Sequence, residues 1–392
     1  MTQTLDVAQF PAVWHDLTGQ SASVAQLHRA AQQEAPTHAW LFTGPPGSGR
    51  STAARAFAQA LQCENPDPAQ RGCSICPTCL TIASGTHPDV KVMATEKVNY
   101  GIDEIRDLIG LAQDRPATAR WRIFVMEDAD RMTERATNVL LKAIEEPPPR
   151  TIWMLCAPSP ADVLITIRSR TRKISLTIPS AESVARLLTE RDGLDPEMAL
   201  FAARASQSHV GVARWLASNP EARARREQIV SLPLRVGSTS QAMAEAADLI
   251  QITQQEATAS AEERNTAERV RLLHSLGLSE DDTVPPKLRH HVKRLEEEQT
   301  ARNRRSVHDA LDKAMIDLIG LFRDVLAVQL GTDAELINEH LRDQIIGYAR
   351  QGTSQHTLAA IDAIGQARTR LTSNVPPQLA VEAMLLAFVP RR

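Results

Sequence analysis

The chain has 392 residues, of which 43% are hydrophobic and 23% charged, and a formal net charge of −3 at pH 7. That is core material for two or three soluble domains, and the charge balance excludes a protein that coats nucleic acid by charge alone. No apolar run approaches bilayer-spanning length and the N-terminus carries no signal-peptide pattern, so a cytoplasmic location with no membrane partner is expected.

Up to about residue 178, apolar strand candidates at 39–42, 90–94, 122–126, 151–156 and 173–176 alternate with helical stretches. This predicts an α/β domain over residues 1–178 with a mainly parallel sheet. After Pro179 no strand signal survives. Residues 179–234 read as a small helical domain, with helices at 184–190, 196–205 and 209–216. A linker at 232–239 leads into an all-helical region, 235–392. There the stretches 315–322 and 380–388 carry more apolar surface than a thin helical domain is expected to bury, which predicts an oligomerisation surface. The charge-dense run 287–305 reads as a solvated helix face, and no role is assigned to residues 251–305.

The first strand candidate runs into Gly44-Pro45-Pro46-Gly47-Ser48-Gly49-Arg50-Ser51-Thr52. This is G-x-x-x-x-G-R-S, one residue away from the phosphate-binding loop G-x-x-x-x-G-K-[ST]. A helical pattern follows at 51–61, so the loop has the strand–loop–helix setting that the motif needs. Gly44, Gly47 and Gly49 let successive backbone N–H groups converge on an anion, and the helix N-terminus adds to the attraction. Arg50 replaces the lysine. Its planar fork does not fit the lysine's point-charge position.

Cys63, Cys73, Cys76 and Cys79 follow as C-x9-C-x2-C-x2-C. Four soft sulfurs at this spacing suit a closed, structural tetrahedral Zn²⁺ site. His87 reads as a solvent-facing turn residue and Cys156 as a small core residue. The run 122–130 is an apolar strand that ends in Glu127 and Asp128, the form of a Walker B motif, whose acids hold Mg²⁺ and orient the attacking water.

With the stretches 138–149 and 166–172 added, the chain resembles the AAA+ clamp-loader family over nearly its whole length. The resemblance implies an AAA+ domain with a zinc module at 63–79, a helical lid and a helical collar that joins a ring. It makes Gly19 and Gln20 an adenine-side element and Arg214 the second-sensor arginine. Ser169-Arg170-Thr171 matches the family's S-R-C motif, whose arginine reaches the nucleotide of a neighbouring subunit. The partners implied are the other ring subunits, the sliding clamp and primed DNA.

The departures from the family pattern fall mostly in the chain's own nucleotide site. Besides Arg50, the acid pair is Glu-Asp where active motors carry Asp-Glu, and the first-sensor position falls on Ala157 or Pro158. Thr171 replaces a cysteine, a minor change. A subunit that does not hydrolyse ATP itself is therefore expected. The complete glycine loop leaves room for ATP or ADP as a passive ligand, with Mg²⁺ open. Two other readings are an active motor subunit and a zinc-containing DNA-binding adaptor on a decayed ATPase fold.

Overall fold

The computed structural model describes residues 7–94, 99–275, 278–279, 285, 289–373 and 375–389. It divides into two compact units, residues 1–217 and 218–392. The N-terminal unit holds five strands, β1 (Ala39–Thr43), β2 (Val90–Met93), β3 (Arg122–Met126), β4 (Thr151–Ala157) and β5 (Arg172–Ser175). They form one parallel sheet in the order β2-β3-β4-β1-β5. Every strand candidate is met, its ends within one residue.

The helices of this unit are α1 (Ser21–Ala31), α2 (Arg50–Gln62), α3 (Pro77–Ala83), α4 (Ile102–Ala112), α5 (Glu134–Glu145) and the short α6 (Ile165–Arg168). α7 (Ala181–Asp192), α8 (Pro196–Ala205) and α9 (Val210–Ser218) come next. β1 and β4 are buried at every position, because both faces of the sheet are covered. Successive side chains alternate between the two cores. Trp40, Phe42, Met154 and Cys156 join α1 and α2 on one face. Leu41, Phe124, Trp153 and Leu155 join α4 and α5 on the other. Cys156 is thus the core residue that was expected. His87 is not in solvent: it is buried, and its Nδ1 accepts the Asp89 N–H at 3.0 Å. Thr86 and Pro88 on either side of it are exposed, and burial lowers the His87 pKa.

The second unit contains α10 (Pro220–Ser231), α11 (Thr239–Ser275), α12 (Arg289–Leu330), α13 (Arg342–Gln351), α14 (Ser354–Thr372) and α15 (Pro377–Leu386). The stretch 232–239 is less a linker than part of this unit. Leu232 and Val236 are buried in the same core as Leu249, Leu318 and Phe388. Most of the apolar surface expected to be in surplus at 315–322 and 380–388 is covered within the unit itself. Met315, Leu318, Phe322, Val381 and Leu385 are all buried within the unit, because α11, α12, α14 and α15 wrap one another. Leu379 and Leu386 remain exposed on α15.

A buried ionic chain fixes α10 to α12. Arg226 donates to Asp317 at 3.0 Å and to Asn338 at 2.8 Å, and Asn338 donates to Asp324. Beyond this core α11 and α12 continue as an antiparallel pair. Among the described residues of α11 between Ala257 and Leu273, and of α12 between Val292 and Leu311, none is buried. Polar pairs join the helices there: Asn265 with Asn303, Gln299 with Glu268, and Arg269 with Glu296 at 2.8 Å. Lys287, Leu288 and Asn374 lie outside the described residues. No helix among the described residues is long and apolar enough to cross a membrane.

Candidate functional site

The buried β1 delivers the glycine loop to the C-terminal edge of the sheet. Gly47 and Gly49 have φ of 86° and 85°, which β-carbons resist, and Gly49 caps α2. A β-carbon on Gly47 would lie 3.0 Å from the His209 Cα, and one on Gly44 would lie 2.6 Å from the Leu176 carbonyl oxygen. The loop, the first turn of α2 (Arg50, Ser51, Thr52) and Arg191, His209 and Arg214 border a cleft of about 330 Å³.

The charged groups expected to act on a nucleotide here are engaged within the chain. The Arg50 guanidinium turns back and donates to the carbonyl of Gly44, in its own loop. Gly44 N–H donates to the Pro158 carbonyl at 3.2 Å. Glu127 accepts from Arg55 Nη2 at 2.8 Å. Asp128 sits in the left-handed region at φ 51°, with Arg131 Nε at 3.7 Å from its carboxylate. Ala157 ends β4 fully buried and offers no polar side chain. Ser48 is buried, and its hydroxyl finds no hydrogen-bond partner.

Gly19 and Gln20 lie where the loop meets β5. Gly19 has φ 74°, and Gln20 is buried. The Gln20 amide nitrogen donates to the carbonyls of Ser48 and Thr177, and its oxygen accepts the Thr177 N–H at 3.2 Å. The side chain therefore braces the loop against the end of β5.

Arg214 also reaches the cleft, but as half of a pair. It donates through Nε and Nη2 to the two oxygens of Asp192 at 2.8 and 3.2 Å. Arg191 donates to the same carboxylate at 3.0 and 3.1 Å, and to Asp16 at 2.6 Å.

Ser169 and Arg170 lie elsewhere. They follow α6 and precede β5, whose Arg172 is in register with Trp40 near the start of β1. Arg170 thus stands at the N-terminal edge of the sheet, and the glycine loop leaves from the C-terminal edge. Four or five residues of strand, about 3.3 Å each, separate the two. Arg170 donates to Thr166 O at 2.9 Å and to Ser169 Oγ at 3.3 Å, and pairs with Glu145 at 2.7 Å. Both side chains of that pair are about two-fifths exposed.

The four cysteines converge. Their sulfurs all lie within 4.8 Å of one another, with Cys63–Cys73 at 3.6 Å and Cys63–Cys76 at 4.0 Å. A tetrahedron with Zn–S bonds of about 2.3 Å has edges of roughly 3.8 Å, so the donor set fits Zn²⁺. The Cys76 and Cys79 N–H groups donate to the sulfurs of Cys73 and Cys76, both at 3.4 Å. Burial alone would push the Cys63 thiol up, but N–H groups of Cys73, Asn65 and Gly72 bring it down to about 7. Burial raises Cys73 and Cys79, as it does for thiols held close together without a cation.

A family model described as "DNA polymerase III, delta subunit" matches residues 19–180. The delta' subunit of DNA polymerase III from Bacillus subtilis is 26% identical over 360 residues, 92% of this chain and 93% of that protein. The delta' subunit from Pseudomonas aeruginosa is 34% identical over 177 residues, 44% of this chain and 53% of that one. The gamma/tau subunit from Mycobacterium tuberculosis is 31% identical over 195 residues, 49% of this chain and 34% of that one. The chain therefore spans about a third of the length of such gamma/tau relatives. It resembles a clamp-loader subunit. The resemblance to delta' subunits extends over nearly the whole chain.

Within this clamp-loader-like chain, several groups that line the cleft or hold its neighbours escaped the sequence reading. Arg55, Asp16, Arg191, Asp192 and His209 belong to no motif. Arg55 finds its partner 72 residues away and Asp192 finds Arg214 on another helix. No local pattern signals such pairs.

Proposed function

We propose that the chain is the delta-prime subunit of a DNA polymerase III clamp loader, a stator-like member of the ring that helps to place the sliding clamp on primed DNA. It does not hydrolyse ATP at its own loop. It supplies Arg170, presented by Ser169, to the nucleotide of a neighbouring gamma/tau motor subunit. Delta would be a further ring partner, residues 179–217 the lid, and the C-terminal unit the collar. The four cysteines hold a structural Zn²⁺, and the setting is cytoplasmic.

One observation carries the reading: Arg170 stands at the sheet edge opposite the chain's own glycine loop. A finger there serves another molecule's site or none. The state of the own site supports it. Arg50 is turned onto Gly44, Glu127 is held by Arg55, and Ala157 is apolar. A metal-bound nucleotide would have to displace the Arg55–Glu127 pair, so a passively bound ATP or ADP is favoured over an Mg²⁺ complex.

The test is the clamp- and DNA-stimulated ATPase of rings rebuilt with Arg170→Ala. An arginine finger is worth about 10³–10⁵ in rate at the site it completes. Ring ATPase should fall by the share of that one site and clamp loading should weaken, with assembly intact. Unchanged ATPase and loading would make Arg170 a surface arginine.

A further inference from the structure

Asp192 is an unusual residue to find at the end of α7. The C-terminus of a helix carries partial negative charge, so a carboxylate in the last turn is opposed by the helix itself. Within α7 only its neighbour Arg191 offsets that charge. What accounts for it is the cleft: Asp192 accepts four hydrogen bonds from the two guanidinium forks of Arg191 and Arg214, at 2.8–3.2 Å. Both arginines border the cleft above the glycine loop. Asp16 takes the remaining Arg191 nitrogen at 2.6 Å.

Two forks converging on one planar anion is the arrangement that arginines offer to phosphate. Here the anion is a side chain of the same molecule. The cluster of Arg191, Arg214, Asp192 and Asp16 sums to zero charge. It leaves neither fork available without breaking charge-assisted bonds.

We infer that Asp192 is a specificity-determining residue that acts as an internal anion. It takes the interactions that two cleft arginines would give to a nucleoside triphosphate and so keeps the cleft's affinity for that ligand low. Asp16 does the same, more weakly, for Arg191. The inference rests on reading the cleft as a nucleotide site but not on the role of Arg170.

Titration of the isolated full-length chain with ATP, and with inorganic triphosphate as a base-free probe, tests it. Asp192→Asn should bind both at least about tenfold more tightly than the parent, the equivalent of one charge-assisted bond regained. The gain should vanish in Asp192→Asn combined with Arg214→Gln. Glu182→Gln removes one negative charge at the other end of α7 and should change affinity by less than about twofold, which separates a freed fork from a general change of charge. Equal or weaker binding by a folded Asp192→Asn chain overturns the inference, and so does an equal gain in Glu182→Gln. Should Asp192→Asn fail to fold, Asp16→Asn on the exposed N-terminal turn decides: a smaller gain supports the inference and no gain refutes it. Either failure leaves the ring experiment with Arg170 untouched.

Discussion

The guanidinium of Arg55 stands 2.8 Å from the carboxylate of Glu127, so the first acid after β3 already has a cation. Arg55 is on α2, just over one turn beyond Arg50, and both arginines of this helix are engaged by groups of the chain, Arg55 with about half of its side chain exposed. A divalent ion at Glu127 would have to compete with a fixed positive charge.

It follows that the isolated chain should not turn over ATP at a useful rate. Loss of a water-orienting acid and of a γ-phosphate sensor removes terms worth roughly 3 kcal/mol each. Together they slow the chemistry on the order of ten-thousandfold. Arg50→Lys alone should not restore activity, because Glu127 stays paired and Ala157 stays apolar. Phosphate release by the purified chain checks this. Turnover near about one per second would refute it.

One Zn²⁺ per chain is expected by elemental analysis, with Cys76→Ser losing most of it. The module has little core of its own: Ile75 and Leu80 are exposed, and of residues 63–83 only Cys63, Gly72, Cys79 and Ile82 are buried. Chelation should therefore loosen residues 63–83 while the sheet persists. Metal content below about half an equivalent after chelator-free purification would count against the site.

Asp89 should be a pH-dependent anchor. It is buried, and it accepts the N–H groups of Ala117, Thr118 and Ala119 and the Thr118 hydroxyl at 2.7–3.2 Å. Burial alone would raise its pKa, but these donors outweigh it and hold the carboxyl below its ordinary value. A depressed carboxyl stabilises the fold above its unfolded pKa, near 4, and that stability is lost as pH falls through the folded value. Asp89→Asn should cost about 1–3 kcal/mol at pH 7. In thermal melts the gap to the parent chain should narrow below about pH 4. A gap independent of pH would exclude the carboxylate as its source.

Arg226 sets where the chain can be cut. Its side chain is 5% exposed, and removing it leaves Asp317 buried without its guanidinium. Arg226→Ala should destabilise the C-terminal unit by about 3–5 kcal/mol. For the same reason a fragment ending near Pro233 carries α10 without its partners, with the apolar Ile229 and Val230 uncovered. A fragment ending near Ala217 should express as a cleaner folded unit. Equal solubility and equal melting of the two fragments would show that α10 does not need α12.

Local pattern made the sheet legible: five apolar runs bounded by turn residues gave five strands, and the glycine spacing gave the loop at the end of β1. The cysteine spacing likewise foretold a convergence that the sulfurs show. Contacts across the chain were less readable. His87 looked like a solvent residue because its turn is polar, and Thr86 and Pro88 are exposed, but the imidazole between them is buried. The apolar helices at 315–322 and 380–388 looked in need of neighbours because the sequence does not tell that α11 and α14 cover them. The arginines at 50, 55, 191 and 214 could be counted, but the carboxylates that Arg55, Arg191 and Arg214 find in Glu127, Asp16 and Asp192 lie on other segments, and nothing local shows Arg50 turning back onto Gly44.

The polar seam of α11 and α12 makes the hairpin a ruler. In this stretch, where none of the described residues is buried, Asn265 with Asn303 and Arg269 with Glu296 set the alignment of the two helices. Such pairs specify register rather than strength. Excising seven residues from each helix would keep every remaining pair on the same face and shorten the hairpin by about 10 Å. Excising two from each would turn the seam by about 200° relative to the core at Leu249 and Leu318, and the two halves would no longer share a face. The length of this element is thus quantised in heptads.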